Sequence, residues 1–219
     1  PLRRSLLRSF ILAGMMVIVP FISQTTSAVS VADYPTIQAA VNANPGQRVY
    51  VPAGTHLIEG AIHLTTDGSG LYGPGRIEQT APGSSIVTIE NASDVRVEGV
   101  TLTRKNPPEW VRAPGLFIAN SQRVDIRGVQ VLDNHARDAS IEVRNSEMVT
   151  IKDCLIRNYK CIAIDDRTDS ELYGYAFRAI DGTGILVNQS TGTIIESNRI
   201  LEDRLLPTRE AKEKHKLGE

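Results

Sequence analysis

Ten side chains able to grip an anionic ligand fall in four short stretches of this sequence. They are Arg104, Lys105, Trp110 and Arg112; His135 and Arg137; Arg157, Tyr159 and Lys160; and Arg178. The acids in the same stretches are Glu109, Asp133, Asp138 and Asp181. Arginine forks onto a carboxylate or sulfate through two parallel hydrogen bonds. The mixture therefore suits an acidic polysaccharide, with Arg104, Lys105, Trp110, Arg137, Asp138 and Arg157 as substrate-binding candidates. Lysine serves as a general base where its surroundings disfavour the ammonium. Lys160, with Tyr159 beside it and His135 one repeat away, is the candidate for removing the proton α to a uronate carboxylate. Both β-elimination and C5 epimerisation begin with that step, and both need a cation to steady the charge formed. The competing reading is a solvated charged face, with Trp110 pinning its loop among Pro107, Pro108 and Pro114.

The rest of the composition narrows the partners. Cys154 and Cys161 do not make a metal motif, since zinc takes four ligands or three and a water; neither a metal nor a cofactor is expected. The two cysteines fit a disulfide, which export permits, or two small buried apolar residues. Residues 1–28 read as a signal peptide. Arg3, Arg4 and Arg8 precede thirteen apolar positions, Phe10 to Ile22, and Thr26-Ser27-Ala28 offers a cleavage site. An uncleaved anchor is the alternative, although the apolar run is short for a bilayer. That segment holds three Arg and no acid, so the remainder has 21 Lys+Arg against 25 Asp+Glu, a net charge of −4. Such a balance excludes a general nucleic-acid binder. The expectation is a secreted protein, extracellular or periplasmic, free of the membrane after cleavage. The start at Pro1 and the charged tail over 205–219, read as disordered or helical, suggest a fragment; oligomeric state is not legible.

A repeat positions all of these residues. Val87, Ile89, Asn91, Val95, Val97, Val100 and Leu102 recur with identical spacing as Leu116, Ile118, Asn120, Val124, Ile126, Val129 and Val131, and as Ile141, Val143, Asn145, Val149, Ile151, Cys154 and Ile156. A fourth copy is Ile185, Val187, Gln189, Thr193, Ile195, Asn198 and Ile200. A weaker one, Ile162, Ile164, Asp166, Ser170, Leu172, Tyr175 and Phe177, lies between them. Each copy predicts three short strands of period two separated by turns, one rung of a β-solenoid. The polar member, Asn91, Asn120, Asn145, Asp166 or Gln189, falls at a tight turn that Asn and Asp tolerate, and stacked amides there could bond from rung to rung. Asp166 thus reads as a turn residue rather than an acid catalyst. Strands are expected over 48–204. Before them, within 29–47, Asp33-Tyr34-Pro35 followed by Ile37, Ala40 and Val41 predicts a capping helix ended by Pro45-Gly46.

Three further segments carry a resemblance: Thr36-Ile37-Gln38-Ala39-Ala40, Val49-Tyr50-Val51-Pro52-Ala53-Gly54-Thr55 and Leu71-Tyr72-Gly73-Pro74-Gly75. With them the chain resembles the pectin-lyase superfamily of right-handed parallel β-helices, over about residues 33–200. Its central segment, Asp153-Cys154-Leu155-Ile156 and Cys161-Ile162-Ala163-Ile164, is similar to polygalacturonases. The resemblance implies an all-β, right-handed parallel β-helix and a polysaccharide ligand. It does not carry over inverting hydrolysis, which needs two separated carboxylates. Where that family has N-T-D this chain has Arg137-Asp138-Ala139; its D-D pair is Tyr159-Lys160, and its G-H-G is Gly182-Thr183-Gly184. Lys160 thus stands where those hydrolases keep an acid. Two readings follow: a secreted lyase, epimerase or divergent hydrolase of an acidic polysaccharide, or a non-catalytic carbohydrate-binding or structural β-helix, a truncated inactive relative of polygalacturonases included. The appearance of a new double bond in a uronate polymer separates them.

Overall fold

The computed structural model describes residues 28–105, 111, 113–164 and 178–203. Its strands coil into a parallel β-helix from Arg48 to Leu201 with three faces. The first face stacks Ile62–Leu64, Val87–Glu90, Leu116–Ala119, Ala139–Arg144 and Thr183–Asn188. The second runs from Arg48–Tyr50 to Ile194–Glu196 and the third from Thr55–Ile58 to Arg199–Leu201, each with six strands. Register follows the repeat: Val97, Ile126, Ile151 and Ile195 align on the second face, and Leu102, Val131, Ile156 and Ile200 on the third. The inward members through Ile156 are buried and form one continuous core.

The constant spacing has a backbone cause. In each rung φ turns positive at the polar corner residue, and again three and eight residues later. The sets are Asn91, Asp94 and Gly99; Asn120, Arg123 and Gly128; Asn145, Met148 and Asp153; and Gln189, Gly192 and Ser197, all between 45° and 73°. A left-handed residue bends the chain at once while its amide still bonds to the next rung. Asn91 N donates to Ala119 O at 3.2 Å and Asn120 N to Arg144 O at 3.1 Å. Any change of spacing would break this alignment of corners.

Three expectations need correction. The weak copy at 162–177 is not a rung. Cys161–Ile164 pairs antiparallel with Arg178–Asp181, and Ala139–Arg144 stacks directly on Thr183–Asn188. The segment is an insertion between two rungs, and Asp166 lies outside the described residues. Second, the corner amides make no hydrogen bonds to one another; Asn91, Asn120 and Asn145 are exposed. Serines do that work instead. Ser121 Oγ accepts from Ala92 N at 3.3 Å, Ser146 Oγ from Ser121 N at 3.2 Å, and Ser190 Oγ from Ser146 N at 3.1 Å. Third, Cys154 is a free, buried thiol. It fills the inward position held by Val100 and Val129, and burial pushes its pKa up, so the apolar reading of this cysteine holds and the disulfide does not.

The cap begins later than expected. Val31–Asp33 is a 3-10 turn, and the helix is Ile37–Ala43, with Thr36 Oγ1 accepting from Ala39 N at 3.0 Å. Ile37, Ala40 and Val41 close the N-terminal end of the core. Val29, just past the expected cleavage point, already packs against that core. Outward charges on the second face pair along the stack: Arg48–Glu98 at 2.7 Å, Arg96–Asp125 at 3.3 Å and Lys152–Glu196 at 3.1 Å. That face is largely self-neutralised.

Candidate functional site

Connections from the third face to the first differ widely in length. Ile58 and Ile62 are joined by a short turn, whereas the link from Arg157 to Thr183 contains the antiparallel insertion. The last three links are tied together. Val111 N donates to His135 O at 2.9 Å, Arg137 N to Val111 O at 2.8 Å, and Thr183 N to Asp138 O at 3.0 Å. The last two meet at Gly182, where φ is +102° and a side-chain carbon would fall 2.7 Å from Ala136 O, 3.2 Å from Tyr159 O and 3.3 Å from Lys160 Cα. Only glycine allows that approach. The Gly182 backbone thus lies between Ala136, flanked by His135 and Arg137, and Tyr159-Lys160.

Exposure sorts the candidates. Arg137, Asp138, Arg157 and Lys105 are exposed; His135, Tyr159 and Lys160 are half-buried. Tyr159 packs against the core. Lys160 N donates to Glu202 Oε2 at 2.9 Å. Trp110 and Arg112 lie outside the described residues. Lys105 sits two rungs from Lys160, about 10 Å along the axis. It rims a separate apolar groove of about 730 Å³, between the cap helix and the turn at Leu57 to Ile62.

Arg104 departs from expectation. It is 4% exposed and points inward in step with Leu102. Its Nε donates to Asn134 Oδ1 at 2.8 Å, Nη2 to Ala113 O at 3.0 Å and Nη1 to Ala81 O at 3.4 Å. Burial lowers its pKa to about 10. Its guanidinium is spent on holding the long link to the body and presents no fork to solvent. Arg157 also has a partner: its Nε donates to Asp203 Oδ2 at 3.0 Å, with a second contact from Nη2, and Asp203 raises its pKa.

The acids Glu202 and Asp203 were not among the edge residues counted from sequence. The pairing of Arg157 with Leu201 places them one rung beyond Asn158-Tyr159, so the repeat held the signal. They reduce the cationic surplus of the edge. Glu142 was also missed. It lies outward on the first face between Ile141 and Val143, yet is 3% exposed. It pairs with Arg144, whose guanidinium sits 5.8 Å from the Phe117 ring centre. Alternation shows its direction but not its burial. The two N-terminal histidines have structural partners: His56 Nε2 lies 3.0 Å from Pro52 O and His63 Nδ1 2.8 Å from Thr88 Oγ1. Among the described residues no cluster of three or more His, Cys, Asp or Glu could hold a metal ion, and no helix is long and apolar enough to cross a membrane.

A family model agrees with this fold. The family model for the right-handed beta helix region matches residues 85–205, more than half of the chain. No curated protein sequence matches significantly. Among solved structures, a candidate glycosyl hydrolase from Parabacteroides merdae aligns with 12% identity and a TM-score of 0.45, over 70% of this chain and 74% of that one. PfbA, a surface adhesin of Streptococcus pneumoniae, aligns with 15% identity and a TM-score of 0.38, over 80% of this chain and 63% of that one.

Proposed function

The chain belongs to the right-handed β-helix family, and from that premise we propose that it is a secreted carbohydrate-active protein whose loop edge binds an acidic polysaccharide. The observation that supports this reading is the meeting of Tyr159-Lys160 with the His135–Arg137 segment around Gly182. Arg137 is exposed there and is suited to hold a uronate carboxylate in a two-point fork. Lys160 then takes the proton at C5, α to that carboxylate. The electron pair left behind forms the C4–C5 double bond and expels the glycosidic oxygen at C4, which gains a proton from Tyr159 or water. Returning the proton to the opposite face of C5 would give epimerisation instead.

A purely binding role is the second reading, and the Arg157–Asp203 pair with the Glu202 contact at Lys160 favours it. The first takes up the Arg157 guanidinium, and the second, made through the Lys160 backbone N–H, places a carboxylate beside that residue and adds negative charge to the edge. Incubation of the full chain with polygalacturonate and alginate, followed by ultraviolet absorbance of the unsaturated product, decides between them. The catalytic reading expects absorbance to rise with the wild type and to stay flat with Lys160→Ala at unchanged thermal stability. An active Lys160→Ala variant would remove Lys160 as the base. A silent wild type that still binds would leave the binding role.

A further inference from the structure

A second surface, at the corner between the first and second faces, is independent of the loop edge. Asn91, Asn120, Asn145 and Gln189 occupy equivalent corner positions one rung apart, each exposed and each with positive φ. Their side-chain amides make no hydrogen bond to the protein among the described residues, so each offers two donors and an acceptor to solvent. Beside them runs a polar groove of about 480 Å³, with Asn91, Ser93, Asn120, Gln122, Asn145 and Glu147 in its lining.

Left-handed backbone alone does not account for the amides. The corner three residues later has the same φ and carries Asp94, Arg123, Met148 and Gly192. The corner eight residues later carries Gly99, Gly128, Asp153 and Ser197. Turn geometry thus accepts acids, a cation, a thioether and glycine. Only the first corner keeps an amide in all four rungs, and it does so even with Gln189, which has none of asparagine's preference for that conformation. What stays constant there is the chemistry presented outward.

We propose that this amide row binds a neutral polysaccharide laid parallel to the solenoid axis. Rungs repeat at about 4.8 Å, close to the advance of one pyranose ring in an extended chain, so successive sugars meet successive amides. Hydroxyls both donate and accept, as amides do. No cation lines the groove, and Glu147 adds a negative charge that disfavours polyanions. The serine ladder beneath fixes the row: Ser121 Oγ and Ser146 Oγ each accept from the preceding rung and donate within their own, at 2.8 and 2.7 Å. The ladder holds the backbone of the corners, so binding orders only the amide side chains.

The test is affinity electrophoresis of the full chain, made without N-glycosylation, in gels holding hydroxyethylcellulose, xyloglucan or galactomannan, with polygalacturonate in parallel. At least one neutral polymer should retard the wild type. The triple variant Asn91→Gly, Asn120→Gly, Asn145→Gly should lose that affinity by about tenfold or more. Its melting temperature should hold or rise, because glycine adopts positive φ without strain. Asn120→Asp, which keeps the shape and tolerates the same conformation, should also weaken binding and covers the case of a misfolded triple variant. Retardation by no neutral polymer, or unchanged retardation of the variants, overturns the proposal. Loss of polygalacturonate binding alone would count against the loop edge and leave the amide row standing.

Discussion

Arg104 and Arg137 share an edge and a charge but differ in burial, the first enclosed and the second exposed. The Arg104 guanidinium satisfies Asn134 and two backbone carbonyls inside the wall. Hydrogen bonds to a charged group are worth roughly 1.5–3 kcal/mol, and each buried acceptor left bare costs about 1–3 kcal/mol more. Arg104→Ala is therefore expected to lose ~3–5 kcal/mol in urea unfolding, a large part of a typical domain's stability. Arg137→Ala, at an exposed position, should stay within about 0.5 kcal/mol and weaken only polysaccharide binding. If Arg104→Ala melted like the wild type, the buried role would fall. The pH dependence follows from the depressed pKa of about 10. Folding disfavours the charged form, so this residue makes stability rise only as pH climbs through 10 towards its unfolded value. Between pH 5 and 8 it is protonated in both states and contributes no slope.

At the scale of elements, the rungs were legible because two independent patterns coincide, the inside-outside alternation of strands and the fixed offsets of left-handed corners. The inward parity of Arg104 was legible too, from Val100 and Leu102 before it; reading it as a loop cation ignored the alternation. Glu142 shows the limit of that signal, because direction is local whereas burial depends on what distant segments cover. The insertion shows another limit. Ile162 and Ile164 alternate as a rung strand would, but alternation does not say which strand is the pairing partner. Here the partner is Arg178–Asp181, antiparallel, with Cys161 opposite Asp181. Because the ends of this unit lie side by side and Ala139–Arg144 pairs directly with Thr183–Asn188, the solenoid does not need it. Replacing residues 162–180 with a short Gly-Ser linker should keep the β-sheet circular dichroism and shift the melting point by only a few degrees. Loss of cooperative melting in that variant would mean that the insertion is part of the stack.

For the whole molecule, stability is close to a sum of rungs and the interfaces between neighbours, so position along the axis decides what an identical substitution does. Val124 and Ile200 are both inward members of the same repeat. Val124 is 1% exposed with rungs on both sides, whereas Ile200, in the last described rung, is 43% exposed. An aspartate at 124 has no water and no partner, and an unpaired buried charge costs several kcal/mol or forces neutralisation. Set against a total of about 5–15 kcal/mol, that is enough to prevent folding, since the solenoid has no other place for an inward side chain. An aspartate at 200 keeps much of its hydration and disturbs a single interface. Val124→Asp should therefore give no folded protein, while Ile200→Asp should fold and melt only modestly lower, as followed by thermal circular dichroism. Equal loss in both variants would show that the C-terminal rung is covered and as essential as the middle; equal tolerance would show that Val124 does not face the core.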